Sequence, residues 1–113
     1  MLFMKLYCHF VAALKIALYK IINGNRVKFG KGFTFRRGFS LVVAKEGKVE
    51  IGDDCFFNNG CSINCLNSIQ IGSGSIFGEG VRIYDHNHRF ADFSKPIKEQ
   101  GYSLGCVKIG KHC

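Results

Sequence analysis

Proline is almost absent from this chain of 113 residues, since Pro96 is the only one, whereas glycine occurs 14 times. Much glycine with so little proline is unusual for an ordinary helical or α/β domain and favours a chain with many tight corners. The length allows one domain at most. An apolar content of 47% argues against a disordered chain.

Acidic residues are scarce in the first part of the chain. Residues 1–48 hold ten Lys and Arg against one acid, Glu46, whereas residues 49–113 hold six Lys and Arg against seven acids. A basic excess favours an anionic membrane surface, an anionic substrate or nucleic acid as a partner. No nucleic-acid-binding motif is present, and the aromatic residues are mostly phenylalanines at repeat positions, so we expect no nucleic-acid partner.

The pattern that the chain does contain is a six-residue repeat, or hexad, of apolar side chains. The apolar positions are Ile51, Phe57, Ile63, Ile71, Phe77, Ile83 and Ile109. Neither an α-helix nor an ordinary β-strand has this period. A fixed short repeat is typical of a solenoid, and a hexad is typical of a parallel β-helix. We therefore expect an all-β solenoid in which the first six of these side chains point inward.

The cysteines indicate a reducing compartment. The chain has six of them but no C-x-x-C pair of the kind found in zinc sites, so we expect no metal there. No small-residue cleavage site follows the first apolar segment, which favours a cytoplasmic protein whose cysteines are thiols. Cys55, Cys61 and Cys113 each come four residues after an apolar hexad position, where we expect small buried side chains at a corner. Two earlier hexads carry Phe33 and Phe39 there instead.

The first residues have the pattern of an amphipathic helix over residues 2–22, within an N-terminal segment 1–24. Its apolar residues recur at three- and four-residue spacing: Leu6, Phe10, Leu14, Leu18 and Ile21 or Ile22. Three lysines within the stretch argue against a membrane-spanning helix. Two roles stay open, and both can hold. The helix packs its apolar face on the open end of a solenoid domain 25–113, or it lies on the inner face of an anionic membrane.

The repeat is interrupted after Ile83 by Tyr84-Asp85-His86-Asn87-His88, which brings two imidazoles together. Histidine titrates near neutrality and is a common general base, so this segment is the predicted place for chemistry. A metal site formed by Asp85, His86 and His88 is the rival interpretation. Residues 89–106 contain no hexad, and long irregular segments in compact scaffolds are often binding loops.

These segments resemble the N-terminal part of a hexapeptide-repeat acyltransferase, in the branch of the galactoside, maltose and capsule O-acetyltransferases. The similarity is carried by residues 49–63, residues 71–88, and the loop 89–97 that leads to Val107-Lys108-Ile109-Gly110. The resemblance implies a left-handed parallel β-helix with three hexads per coil, assembled as a homotrimer. It also implies that the active site lies in the cleft between neighbouring subunits.

The resemblance further implies transfer of an acetyl group from acetyl-CoA, a co-substrate rather than a bound cofactor, to a hydroxyl of a sugar or glycan. The family's catalytic histidine corresponds to His86, and His88 is the second candidate. Asp85 or a backbone carbonyl is suited to fix the histidine tautomer. Asn58 matches the position of an asparagine near the acceptor. We expect Tyr84 and Asn87 to contact the substrate as well.

In the family that the chain resembles, several more coils follow the position of Ile109 and supply most contacts to CoA. This sequence ends at Cys113, one residue short of a full hexad. The expectation is therefore a truncated member whose residues 1–113 alone transfer acetyl groups negligibly. The alternative function is a non-catalytic β-helix remnant, or interaction module, that pairs with a full-length paralogue.

Overall fold

The computed structural model describes residues 2–113, which form one long helix followed by short strands. Helix α1 spans Leu2–Asn23, and a single 3-10 turn, Gly24–Arg26, joins it to the strands. The strands are β1 (Val27–Phe29), β2 (Thr34–Phe35), β3 (Ser40–Val43), β4 (Lys48–Ile51), β5 (Phe56–Phe57), β6 (Ser62–Cys65), β7 (Ser68–Ile71), β8 (Ile76–Phe77), β9 (Arg82–Tyr84), β10 (His86–His88), β11 (Tyr102–Leu104) and β12 (Cys106–Ile109).

Most of the strands stack into three parallel sheets, with the orders β1-β4-β7-β12, β2-β5-β8 and β3-β6-β9. The chain contributes one strand to each of the three sheets in turn, and one such set of three strands forms a coil. Each coil places its strands beside the equivalent strands of the coil before. Equivalent hexad positions are in register, with Val27 opposite Val49 and Val49 opposite Ile69. This arrangement is compatible with a parallel β-helix.

The apolar hexad positions form the core between the sheets. The side chains predicted to point inward are buried at Ile51, Phe57, Ile63, Ile71 and Ile83. Phe77 is partly buried against this core and stacks on Phe57, with the ring centroids 4.3 Å apart. Burial of each such side chain contributes about 1.5–3 kcal/mol to the free energy of unfolding. The prediction of an inward-facing repeat is confirmed.

Small side chains fill the corners between one strand and the next. Cys55 and Cys61 are fully buried as predicted, and the Cys61 thiol donates to the Gly78 carbonyl at 3.1 Å. Ser75 occupies an equivalent place and donates to a backbone carbonyl of the next coil. The same prediction is wrong for Cys113, which is exposed because no other described residue covers that side of the last coil.

Helix α1 covers the first coil, but with a different face from the one that the hydrophobic pattern predicted. The residues directed at the coil are Cys8, Val11, Ala12, Ile16 and Tyr19. The predicted apolar face points away from the protein, with exposed fractions of 53% at Leu18 and 79% at Ile21. Ala12 is 1% exposed, which indicates that a small side chain allows the helix to approach the coil closely.

The aromatic residues of the first coil meet the helix. Phe33 and Phe39, which replace small residues in the early hexads, are both buried. Phe39 stacks on Phe35 at 4.2 Å, and the Tyr19 ring of α1 packs edge-on against Phe39 at 6.3 Å. These large rings fill the space between the first coil and the helix, which explains their presence at corner positions.

The segment predicted as an irregular loop, residues 89–106, contains more regular structure than expected. Strand β10 pairs antiparallel with β11, which places His88 opposite Tyr102. Residues 97–99 form a 3-10 turn, and Cys106 already belongs to β12, which rejoins the first sheet beside β7. The segment therefore leaves and re-enters the stack through a two-stranded ribbon that begins at the histidine pair.

Candidate active site

The histidine pair lies where the chain leaves the stacked coils. Strand β9 ends at Tyr84, Asp85 stays buried, and β10 begins with His86. The Asp85 carbonyl accepts a hydrogen bond of 2.7 Å from the Gly105 amide, which fixes the base of the ribbon. Because side chains alternate along a strand, His86 and His88 lie on one face of β10 and Asn87 lies on the other.

The Asp85 carboxylate is buried and accepts an unusual number of hydrogen bonds. The backbone amides of Leu66, Asn67 and Ser68 donate to it at 2.9, 2.7 and 2.8 Å. These amides belong to the corner between β6 and β7, where two extra residues interrupt the hexad phase. Amide donors that would otherwise be unpaired are satisfied by one carboxylate, so Asp85 stabilises this corner.

These hydrogen bonds determine the ionisation of the site. Burial by itself raises the pKa of Asp85, but hydrogen bonds from Leu66, His86, Asn67 and Cys65 outweigh it and lower the pKa to about 2. Burial, and then the hydrogen bond and repulsion from Asp85, raise the pKa of the Cys65 thiol to about 11. At neutral pH the aspartate is therefore ionised and the cysteine is a neutral donor.

The ionised carboxylate orients the His86 ring. Its Oδ1 atom lies 2.9 Å from His86 Nδ1, and the histidine side chain is only 10% exposed. An ionised carboxylate can only accept, so we assign the imidazole proton to Nδ1, which leaves a free electron pair on Nε2. This tautomer is the one that a general base requires when Nε2 faces the substrate.

Two tyrosines hold the same imidazole. The Tyr84 ring stacks parallel to His86, with centroids 5.8 Å apart and an interplanar angle of 7°. The Tyr102 ring packs edge-on against His86 at 5.3 Å and also lies 4.8 Å from His88. Tyr84 was among the predicted substrate-binding residues, whereas Tyr102 was not predicted. Tyr102 reaches the site only through the β10–β11 pairing, which no local sequence pattern indicates.

The other members of the predicted segment are less constrained. His88 and Asn87 are exposed, and the Asn87 backbone carbonyl accepts a 3.5 Å hydrogen bond from the Ser103 hydroxyl. Within residues 2–113, His86 is the histidine whose ring lies within hydrogen-bond distance of a carboxylate. Over the same residues, no three His, Cys, Asp or Glu side chains are grouped so that they could hold a metal ion.

Asn58 lies at a different corner of the coil from His86. It directly follows β5 of the second sheet, whereas His86 follows β9 of the third sheet. The Asn58 side-chain oxygen accepts a 2.8 Å hydrogen bond from the Asn59 amide. A single chain therefore brings together Asp85, His86 and Tyr84 but leaves Asn58 elsewhere.

Comparison with known proteins gives one partial similarity. No protein-family model matches the chain, and no solved structure matches it. A protein of Mycobacterium tuberculosis named probable acetyltransferase is 34% identical over 71 residues, which are 63% of this chain and 24% of that protein. The chain thus spans about a quarter of the length of this relative. The similarity indicates a distant, partial relationship to a protein that is named as an acetyltransferase.

Proposed function

We propose that this protein is an O-acetyltransferase that moves an acetyl group from acetyl-CoA to a hydroxyl of a sugar or glycan. The observation that carries the proposal is the Asp85–His86 pair, in which a buried, ionised carboxylate lies 2.9 Å from the imidazole. The similarity to a protein named as an acetyltransferase supports the reaction class. The hexad repeat and the three parallel sheets support a left-handed, hexapeptide-repeat β-helix as the scaffold.

The chemistry follows from the tautomer. His86 Nε2 accepts the proton of the acceptor hydroxyl while the hydroxyl oxygen attacks the thioester carbonyl carbon. When the tetrahedral intermediate collapses, the carbon–sulfur bond breaks and the CoA thiolate leaves. The imidazolium then returns its proton to the sulfur, so the enzyme ends unchanged. Asp85 stabilises the imidazolium and keeps the ring in place throughout.

The position of Asn58 favours a site that two subunits share. Because one chain holds Asn58 and His86 at different corners, we infer that the Asn58 and His86 that act on one acceptor come from different chains. A homotrimer with its active sites between neighbouring subunits meets this requirement. Tyr84, which is half exposed beside His86, and Asn87 are available to contact the sugar.

The test is an assay of acetyl transfer by the protein together with any residues that its gene encodes after Cys113. Release of the CoA thiol is followed with a panel of sugar acceptors for the unchanged protein, His86→Asn and the control His112→Asn. We expect His86→Asn to lower kcat/KM by about 100- to 10,000-fold, because a general base contributes that much. The control is exposed at a left-handed corner that asparagine tolerates, so its rate should not change.

Full activity of His86→Asn would contradict the assignment of the base, and loss of activity in His88→Asn instead would move it to His88. Absence of thiol release with every hydroxyl acceptor, in a protein whose fold is intact by circular dichroism, would contradict the proposed reaction.

A further inference from the structure

The outward side of helix α1 forms a continuous apolar surface, which we call the outer face. Its large side chains are each more than half exposed: Leu2, Phe3, Leu6, Phe10, Leu14, Leu18 and Ile21. Their three- and four-residue spacing aligns them along the whole helix, opposite the residues that touch the first coil. Contiguous exposed apolar surfaces of this kind mark sites of interaction with a partner or a membrane.

The charges around the outer face favour an anionic surface as the partner. Helix α1 contains Lys5, Lys15 and Lys20 and no acidic residue. The outer face itself carries no charge. Lys5 and Lys15 lie on the side of the helix towards the coil, and Lys20 lies near the edge of the outer face. A helix with one apolar face, lysines elsewhere and no acid is typical of helices that lie in the interface of a bilayer that contains anionic lipids.

A basic cleft lies beside the first turns of this helix and adds a second observation. It has a volume of about 570 Å³ and lies between α1 and strands β2 and β5. Its cationic residues are Lys5, Arg36 and Arg37, and none of its lining residues is acidic. The floor includes the rings of Phe35 and Phe56.

The two arginines of the cleft are exposed, and each makes one side-chain contact with the protein. The Arg36 guanidinium lies 5.5 Å above the centre of the Phe56 ring, and Arg37 lies 3.7 Å from the Met4 sulfur. Guanidinium groups bind phosphate through paired hydrogen bonds. A basic rim over an apolar floor suits a ligand with a phosphate and an attached hydrocarbon, which describes a phospholipid.

The packing of the helix against the coil determines its orientation relative to a membrane. By length and composition alone, the segment Leu2–Arg26 could cross a membrane. One side of the helix is nevertheless committed to the protein, because Ala12 is in the core and the Tyr19 hydroxyl donates to the Phe39 carbonyl at 3.5 Å. A helix held along the coil cannot be surrounded by lipid, so it lies in the plane of the membrane.

We propose that the outer face of α1 and the adjoining basic cleft bind the surface of a bilayer that contains anionic phospholipids. The apolar side chains enter the interface while the cleft holds a lipid phosphate. The two roles expected for the helix then belong to different faces. The face around Ala12 covers the coil, and the outer face, with its large apolar side chains, contacts lipid. This proposal does not depend on the acetyltransferase reaction.

The first test is flotation of the 113-residue protein with vesicles of phosphatidylcholine alone or with added phosphatidylglycerol. We expect binding to the anionic vesicles, and a loss of more than about tenfold for Phe10→Glu combined with Leu14→Glu. The matched control is Phe90→Glu combined with Phe93→Glu, whose side chains are 68% and 99% exposed in the segment between β10 and β11. All four side chains are exposed, so the fold should survive each change, as thermal unfolding can verify.

The second test removes charge. Arg36→Gln combined with Arg37→Gln should lower the affinity for anionic vesicles by about tenfold, as should a higher salt concentration. The control, Lys45→Gln combined with Lys48→Gln, removes equal charge at exposed positions outside the cleft and should have a smaller effect. Equal binding to phosphatidylcholine vesicles, or equal effects of the two pairs, would overturn the proposed role of the cleft. Self-association through the outer face without vesicle binding would overturn the whole proposal.

Discussion

Asp85 connects the stability of the fold to the chemistry of the site. One carboxylate accepts from three backbone amides at the corner between β6 and β7 and also orients the His86 ring. The amides keep the carboxylate ionised, and the ionised carboxylate determines which nitrogen of the imidazole carries the proton. The orientation of the His86 ring therefore depends on a corner that is distant in sequence.

The lowered pKa of Asp85 predicts a specific dependence of stability on pH. Since the folded-state pKa is about 2 against an ordinary value of 3.8, the stabilisation is complete above pH 4 and is lost as the pH falls towards 2. The shift corresponds to about 2 kcal/mol. Urea unfolding from pH 7 to pH 2 should therefore show Asp85→Asn less stable than the unchanged protein, with a difference that shrinks below pH 4. A difference that stays constant over this range would contradict the assigned cause.

At the scale of residues, the sequence indicates the pieces of the site but not their arrangement. The segment Tyr84–His88 stands out because it interrupts the repeat, and adjacency alone suggests that Asp85 can orient His86. The amide cradle and the Tyr102 ring could not be predicted, because both depend on which strands become neighbours. Such pairings are long-range, and β11 is too short to show an alternating pattern.

At the scale of elements, the corners of the coils repeat one backbone conformation. The second corner residue has a positive φ, as at Gly60 and Gly80, and Asp54 and His112 adopt the same region without being glycines. Only glycine enters this region without steric cost, while aspartate and a few other polar residues tolerate it. The high glycine content that is evident in the sequence thus reflects the turning of the coils.

Two glycines of one coil allow the effect of backbone conformation on stability to be distinguished from the effect of packing. An added Cβ would meet nothing within 4 Å at either Gly78 or Gly80, but only Gly80 has a positive φ, of 73°. We expect Gly80→Ala to lower the free energy of unfolding by about 1–2 kcal/mol. Gly78→Ala should be neutral or slightly stabilising, because it restricts the unfolded chain. Chemical denaturation of both variants checks this, and equal effects would be inconsistent with a strained corner.

In helix α1 the hydrophobic pattern and the observed packing differ in which face is buried. Its existence and its ends follow from the spacing of apolar residues and from Asn23-Gly24. The pattern does not indicate which face packs on the coil. It favours the widest apolar stripe, and this stripe is exposed in the structure. The structure instead uses Ala12 and its neighbours, because the coil end is already filled by the large rings of Phe35 and Phe39.

At the scale of the whole molecule, the proposed functions require more than one chain and more than one surface. The helix and the basic cleft lie at the end of the stack where the first coil is, whereas His86 lies at the edge of a later coil. Membrane binding by the first coil would leave the ribbon of β10 and β11 accessible to an acceptor. In the proposed function a trimer completes the acetyl-transfer site, with Asn58 of one subunit beside His86 of another.

Mixing of two inactive variants tests the shared site most directly. His86→Asn and Asn58→Ala are each prepared in the protein together with any residues that its gene encodes after Cys113, unfolded together, refolded and assayed for acetyl transfer beside either variant alone. In mixed trimers some sites combine an intact His86 from one subunit with an intact Asn58 from its neighbour. We expect these mixtures to recover activity that neither variant shows by itself. A mixture that is no more active than the average of the two variants, although native mass spectrometry shows mixed trimers, would contradict a site shared between subunits.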